Sequence, residues 1–216
     1  MCDVKNVVLG IVDNIERLST EQKEKFKEFL IKSDYFTAPL TTEYEYSYEG
    51  GLAQYGIDVL NTMWELYDTN RFDKIKLGDY NFEILALFHS LYKVNYFEKY
   101  AKNVKVYDKN GGNFDEFGNY MWKSEVGYKV KDAKDRFTTG SSGLTSYMIL
   151  KNFIPLSDEE ALAIIHFNYD VSTKDFYELV KCNPLISFLS TSISLTLNCI
   201  SRDKGVSNEW EIRAWT

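Results

Sequence analysis

Histidine is scarce in this chain: 216 residues hold only two, His89 and His166. A metal centre built on imidazole ligands has nothing else to draw on. Cysteine is as sparse. Cys2, Cys182 and Cys199 form no CxxC pair and are odd in number, which argues against a disulfide framework or a structural zinc site. With three prolines and no Ser/Gly-rich stretch there is no sign of an interdomain linker, and no internal repeat is visible. No apolar run approaches the roughly 18 residues that span a bilayer. Met1-Cys2-Asp3-Val4-Lys5 lacks the basic and apolar regions of a signal peptide. A cytoplasmic protein without a membrane partner is the expectation.

Excess positive charge is also missing. The net charge is −7 and the pI about 5.0, so generic duplex nucleic acid is not an expected partner, because such binding needs clustered Lys and Arg. One basic cleft is still compatible with this balance. What is present is apolar material: 44% hydrophobic and 16% aromatic residues suffice for one sizeable core. The chain reads as a single domain over 1–216.

The pattern is mostly helical. Val7, Val8, Ile11, Val12 and Ile15 fall at helical spacing within 4–17. Ser19 followed by Gln22 forms a capping box for a second helix that stops near Ser33, so residues 1–33 hold the N-terminal helices. A helical pattern follows Gly50-Gly51, and another covers about 80–94, including the apolar run around His89. Between about 103 and 139 the residues partly alternate as in strands, with a turn at Asn110-Gly111-Gly112-Asn113, which predicts a small β hairpin or meander inserted in the helical domain. Helices resume at Thr145, after a second capping box at Ser157 and Glu160, and at about 173–181. The segment 184–200 is apolar but rich in Ser and Thr. Residues 202–216 form a C-terminal extension; within it Asn208–Thr216 alternates like an edge strand and suits packing on the domain or an oligomer interface.

Three motifs carry a resemblance. Asp34-Tyr35-Phe36-Thr37-Ala38-Pro39, then Tyr48-Glu49-Gly50-Gly51-Leu52, then Leu87-Phe88-His89-Ser90-Leu91-Tyr92-Lys93 resemble, in order and spacing, the HD-domain phosphohydrolase superfamily in its bacteriophage versions. The likeness spans roughly residues 30–200 and implies an HD-domain-like helical bundle. It also implies where metal ligands would stand: Tyr55, the pair His89-Ser90, Ser142, Phe167 and Ile193. Only His89 is a ligand type among these, so the resemblance implies a pseudoenzyme with no metal and no cofactor, the metal-activated water having gone with the ligands. Asp58, Glu83 and Glu49 are the acids from which a rearranged site could be built.

Several residues admit two readings. His89 is a core histidine or a residual contact at the floor of a pocket, and His166 a helix residue or a displaced ligand. Lys93, four residues after His89, shares its helix face and aligns with a lysine near the substrate phosphate. Ser141 and Ser142, in Thr138-Thr139-Gly140-Ser141-Ser142-Gly143, form an ordinary N-cap or an anion site at a helix start, with Arg136 upstream as a bidentate partner. Tyr48 and Tyr55, with Tyr44 and Tyr46, are packing or a stacking surface for a base.

The expected function is that of a catalytically inactive binder of a nucleotide, cyclic nucleotide or nucleotide-derived signal, which a phage could use in the host cytoplasm to blunt antiviral defence. The alternatives are an inhibitor of a host defence protein that uses the fold as a scaffold, or a residual metal-dependent phosphohydrolase.

Overall fold

A helix that is apolar on nearly every side must be covered on nearly every side, and one such helix organises this chain. In the computed structural model, which describes residues 3–43, 45–69, 81–168 and 174–200, it is α4 (Phe82–Phe88). Phe82 and every residue from Ile84 to Phe88 are buried. Asn81 caps its start by accepting from the amide of Ile84 at 3.0 Å.

Helices from both ends of the chain and one loop supply the cover. Helix α1 (Val4–Asp13) is shorter than the 4–17 expected, because the chain turns at Asn14 while Ile15 and Leu18 still reach the core. Helix α2 (Thr20–Lys32) opens with the capping box at Ser19 and Gln22 and ends at Ser33. Its Phe26 ring meets Phe88 edge-on at 4.8 Å. The loop after α2 sends Tyr35 inward, where its hydroxyl donates to the Leu87 carbonyl at 2.9 Å. Helix α3 (Gly51–Asp68) runs along α4. Its entry is a tight turn in which Gly50 has φ +86°, and a Cβ on Gly51 would fall 2.1 Å from the Tyr46 carbonyl. Only glycine fits both demands.

The other side of the core is C-terminal. Helix α5 (Ser142–Leu150) lies against α6 (Asp158–His166) so closely that a Cβ on Gly143 would sit 2.2 Å from the Ile165 carbonyl. Helix α7 (Lys174–Cys182) leads to α8 (Pro184–Leu195), whose Phe188 lies 5.2 Å from Phe82. The hydroxyls in α8 do not break it: Ser192 donates to the Phe188 carbonyl and Thr196 to the Ser192 carbonyl, both four residues back. Thr196 then meets Thr62 of α3 at 2.9 Å in a buried polar pair.

One buried carboxylate ties the two sides together. Glu160 closes the capping box of α6 and also receives both guanidinium nitrogens of Arg17, at 2.7 and 3.0 Å, and the Asn81 amide at 3.1 Å.

The β insertion begins and ends earlier than expected. Strands β1 (Phe97–Tyr107) and β3 (Gly118–Val130) pair antiparallel, and β2 (Asn113–Asp115) joins the tip, giving the order β1-β3-β2. The pairing starts at Phe97, not 103, because Phe97 is an anchor buried at the base. The part of the expected range beyond 130 is a 3-10 turn at Ala133–Asp135 and a loop. Within β1 and β3 only Phe97 and Tyr128 are buried, both at the base. The ribbon is therefore an arm roughly 35 Å long by strand rise. The fold is mostly α with a small antiparallel sheet, and the described residues include no helix long and apolar enough to cross a membrane. The C-terminal extension 202–216 and Tyr44 lie outside the described residues.

Candidate functional site

The end of α4 places His89 at the centre of the core. The helix expected over 80–94 stops at Phe88; His89 is its cap, and a separate 3-10 turn covers Leu91–Lys93. Lys93 is consequently not on a shared helix face with His89, and an extended Val94 closes the turn.

His89 is fully buried. Its Nδ1 lies 3.0 Å from the Leu85 carbonyl and 2.9 Å from the Ala86 carbonyl. Carbonyl oxygens only accept, so Nδ1 carries the proton and Nε2 is the acceptor. The Tyr55 hydroxyl, 3.2 Å away, donates to it. Burial holds the imidazole down to a pKa of about 4 against the weaker opposing effect of the two carbonyls, and burial likewise pushes Tyr55 above its ordinary value. Both groups are neutral at pH 7. The rings of Tyr55 and Phe167 stand edge-on to the imidazole, with centroids 5.5 and 5.0 Å away. Two positions that the resemblance equates with metal ligands thus flank His89 as aromatic rings, and Phe167, rather than its neighbour His166, makes that contact. A cation at Nε2 would have to displace the Tyr55 hydroxyl.

From Phe167 the aromatic chain runs outward. Tyr92 lies 6.3 Å from Phe167, and Tyr96 lies 6.1 Å from Tyr92. Two cations sit on this end. The Lys93 ammonium is 5.1, 4.8 and 5.1 Å from the ring centres of Tyr92, Tyr96 and Phe97. The Arg136 guanidinium is 4.3 Å from the Tyr96 ring centre. Burial, and then the charge of Arg136, lowers the pKa of Lys93. Among the described residues neither cation forms an ion pair, and Arg136 Nε is buried with no hydrogen-bond partner. Two half-buried, mutually repelling cations without a carboxylate form a site that lacks its counter-charge.

The remaining candidates divide. Ser142 stands near the Tyr92 phenol, where it weakly opposes the upward push of burial on that group, and the Tyr92 amide donates to Ser146 Oγ at 2.9 Å. Ser141 is engaged locally, because its Oγ is the cap of α5, accepting from Leu144 at 3.5 Å. The amides of Thr139 and Gly140 are likewise taken by Thr145 Oγ1 and Thr138 Oγ1, which makes 138–143 a self-bonded capping loop. Tyr48 stands half-exposed beside Tyr46, at 6.3 Å, with Tyr46 and Tyr55 between it and His89. Asp58 accepts from Tyr46 at 2.7 Å and Gln54 at 2.9 Å, and Glu49 pairs with Lys99 at 3.1 Å. Among the described residues no three His, Cys, Asp or Glu side chains gather as metal ligands would.

The sequence reading set Ser90 beside His89 only as the place of a lost ligand, and it gave Tyr92 and Tyr96 no role. Ser90 is buried and its hydroxyl has no partner. The signal for the other two was Tyr92-Lys93 followed by Tyr96-Phe97, which puts a lysine between rings on a tight turn. Compared with protein-family models, with curated proteins and with solved structures, the chain matches none of them.

Proposed function

We propose that this protein binds a phosphate-bearing ligand, a nucleotide or nucleotide-derived signal, without turning it over. The observation that carries the reading is the pairing of Lys93 and Arg136 around Tyr96 with no carboxylate between them. A phosphate supplies the missing charge, Arg136 offers it a planar fork, and the tyrosine rings offer a base a stacking face. The ligand sits at the mouth of the core, since Tyr55, His89 and Phe167 fill the interior. In an HD-like chain of phage type, sequestering such a signal would counter host antiviral defence.

Thermal unfolding against inorganic phosphate, pyrophosphate and a panel of mono-, di- and cyclic nucleotides in chelator tests this. A ligand with a Kd one-hundredth of its concentration stabilises the native state by about 2.7 kcal/mol. The expected result is stabilisation by one or more of these that disappears in Lys93→Gln and in Arg136→Gln. Stabilisation that survives both substitutions, or none with any ligand, overturns it.

A second reading, an inhibitor docking on a host protein, is favoured by a different observation: the β arm exposes Phe114, Phe117, Trp122 and Val126 far more than a monomer's surface needs. Capture of one defined partner lost on Trp122→Ser supports it.

A further inference from the structure

Lys93 and Arg136 stand on the two legs by which the β arm leaves and rejoins the helical body. Lys93 ends the 3-10 turn Leu91–Lys93 that precedes β1, and Arg136 follows the turn Ala133–Asp135 after β3. Tyr96, the ring that both cations share, belongs to the outgoing leg, and its carbonyl accepts from the Lys131 amide of the returning one. The charge of Arg136 weighs against the Lys93 ammonium across this root. A counter-charge placed between them therefore ties one leg to the other.

Beyond its root the arm is weakly held. Within β1 and β3 only Phe97 and Tyr128 are buried, and segments with so few buried contacts open at low cost. Among the described residues its one ion pair to the body joins Lys99 to Glu49, both exposed, a class of contact that contributes little. A groove of about 730 Å³ lies between Tyr100, Lys102 and Gly127 on the arm and Thr42, Glu43 and Ser47 on the body, which leaves room for movement. The outgoing leg also has an unusual backbone. Asn95 has φ +56°, and Tyr46 is the one other non-glycine residue with positive φ among the described residues. Asparagine tolerates this left-handed conformation better than most residues. Its amide is pinned by Asp34 Oδ1 at 2.6 Å, at the point where the chain turns from body to arm.

Resting on the phosphate-binding reading above, we propose that this site is a latch for the arm: a phosphate group between Lys93 and Arg136 draws the two legs together and fixes the angle of the arm to the body. Without a ligand the like charges loosen the root, and the arm swings about Asn95. The ligand shifts this balance because it binds the closed root better than the open one. The arm acts as a lever. By the ratio of its length to the strand spacing, a shift of about 1 Å between the legs becomes roughly 7 Å at the tip. The exposed rings of Phe114 and Phe117 are then held in one orientation only when the site is filled.

Distances between two spin labels read the swing. In full-length chain with Cys2, Cys182 and Cys199 replaced by serine, one label goes on Glu116→Cys at the tip and the other on Glu65→Cys of α3. Pyrophosphate is the probe, and its binding is followed on the same sample by thermal unfolding. On binding, the width of the tip-to-body distance distribution is expected to fall at least about twofold. Binding with no change in width overturns the latch and leaves the phosphate reading standing. Lys93→Glu and Arg136→Glu test the latch without any ligand, since each sets a carboxylate against the remaining cation. Both should narrow the distribution as the ligand does. If they do while pyrophosphate fails to bind, the latch stands and the phosphate reading falls. An unchanged width in both variants overturns the latch, whatever pyrophosphate does.

Discussion

Tyr55 and His89, 34 residues apart, share a hydrogen bond at the ring nitrogen that is left as an acceptor once two backbone carbonyls fix the tautomer of the fully buried imidazole. Burial of that imidazole makes the core sensitive to acid. The folded-state pKa of about 4 lies below the unfolded value near 6.5, so as pH falls the unfolded chain takes up the proton first. Stability is lost between about pH 6.5 and pH 4. The expected loss from this group is about 2 kcal/mol between pH 7 and pH 5, read from urea midpoints, and it should vanish in His89→Asn.

Removing the donor tests the same bond from the other side. Tyr55→Phe leaves Nε2 buried without a partner, and the expected cost is about 1–3 kcal/mol in urea unfolding at pH 7. An unchanged midpoint would mean that Nε2 is satisfied in some other way.

Ser90→Ala should act in the opposite direction. The hydroxyl is buried without a partner, so its removal is expected to raise stability by up to about 1 kcal/mol. A loss of that size would show that the hydroxyl is bonded in solution.

Glu160 accepts four hydrogen bonds, from its own cap, from Asn81 and from Arg17. Arg17→Met strips two of them from a carboxylate with almost no access to water. Because Arg17 is itself about a third exposed, the expected cost is discounted to about 2 kcal/mol; Glu160→Ala, which loses the cap as well, should cost about 3–4 kcal/mol. A double-mutant cycle yielding no coupling energy would refute the pairing.

Gly143→Ala drives a methyl group into the Ile165 carbonyl, and the helices must part to admit it. A cost of about 2 kcal/mol or more is expected from thermal unfolding, with helix content unchanged.

Local signals were legible in the sequence. The boxes at Ser19–Gln22 and Ser157–Glu160 lie within one turn, so four residues suffice to read them. The end of α4 was not, because the apolar run continues through Leu91 and only the geometry of Ser90 and Val94 shows the break. Burial of Tyr55 against His89, and of Arg17 against Glu160, depends on residues 34 and 143 positions apart. Lys93 and Arg136 were each expected to meet an anion, but their common ring, Tyr96, was invisible without the turn that presents it. The Ser/Thr-rich α8 looked insecure because its hydroxyls were counted as competitors of the backbone, whereas buried they bond to it.

The order in which the chain leaves the ribosome exposes a weakness of α4. Its seven residues are made after α2 and α3, but Phe188, which meets Phe82, and Glu160, which accepts from Asn81, lie more than 70 residues downstream. Until those residues emerge, a helix whose only polar residue is Glu83 lacks the cover they provide. A nascent chain paused anywhere in the β arm would present that uncovered surface to chaperones and proteases.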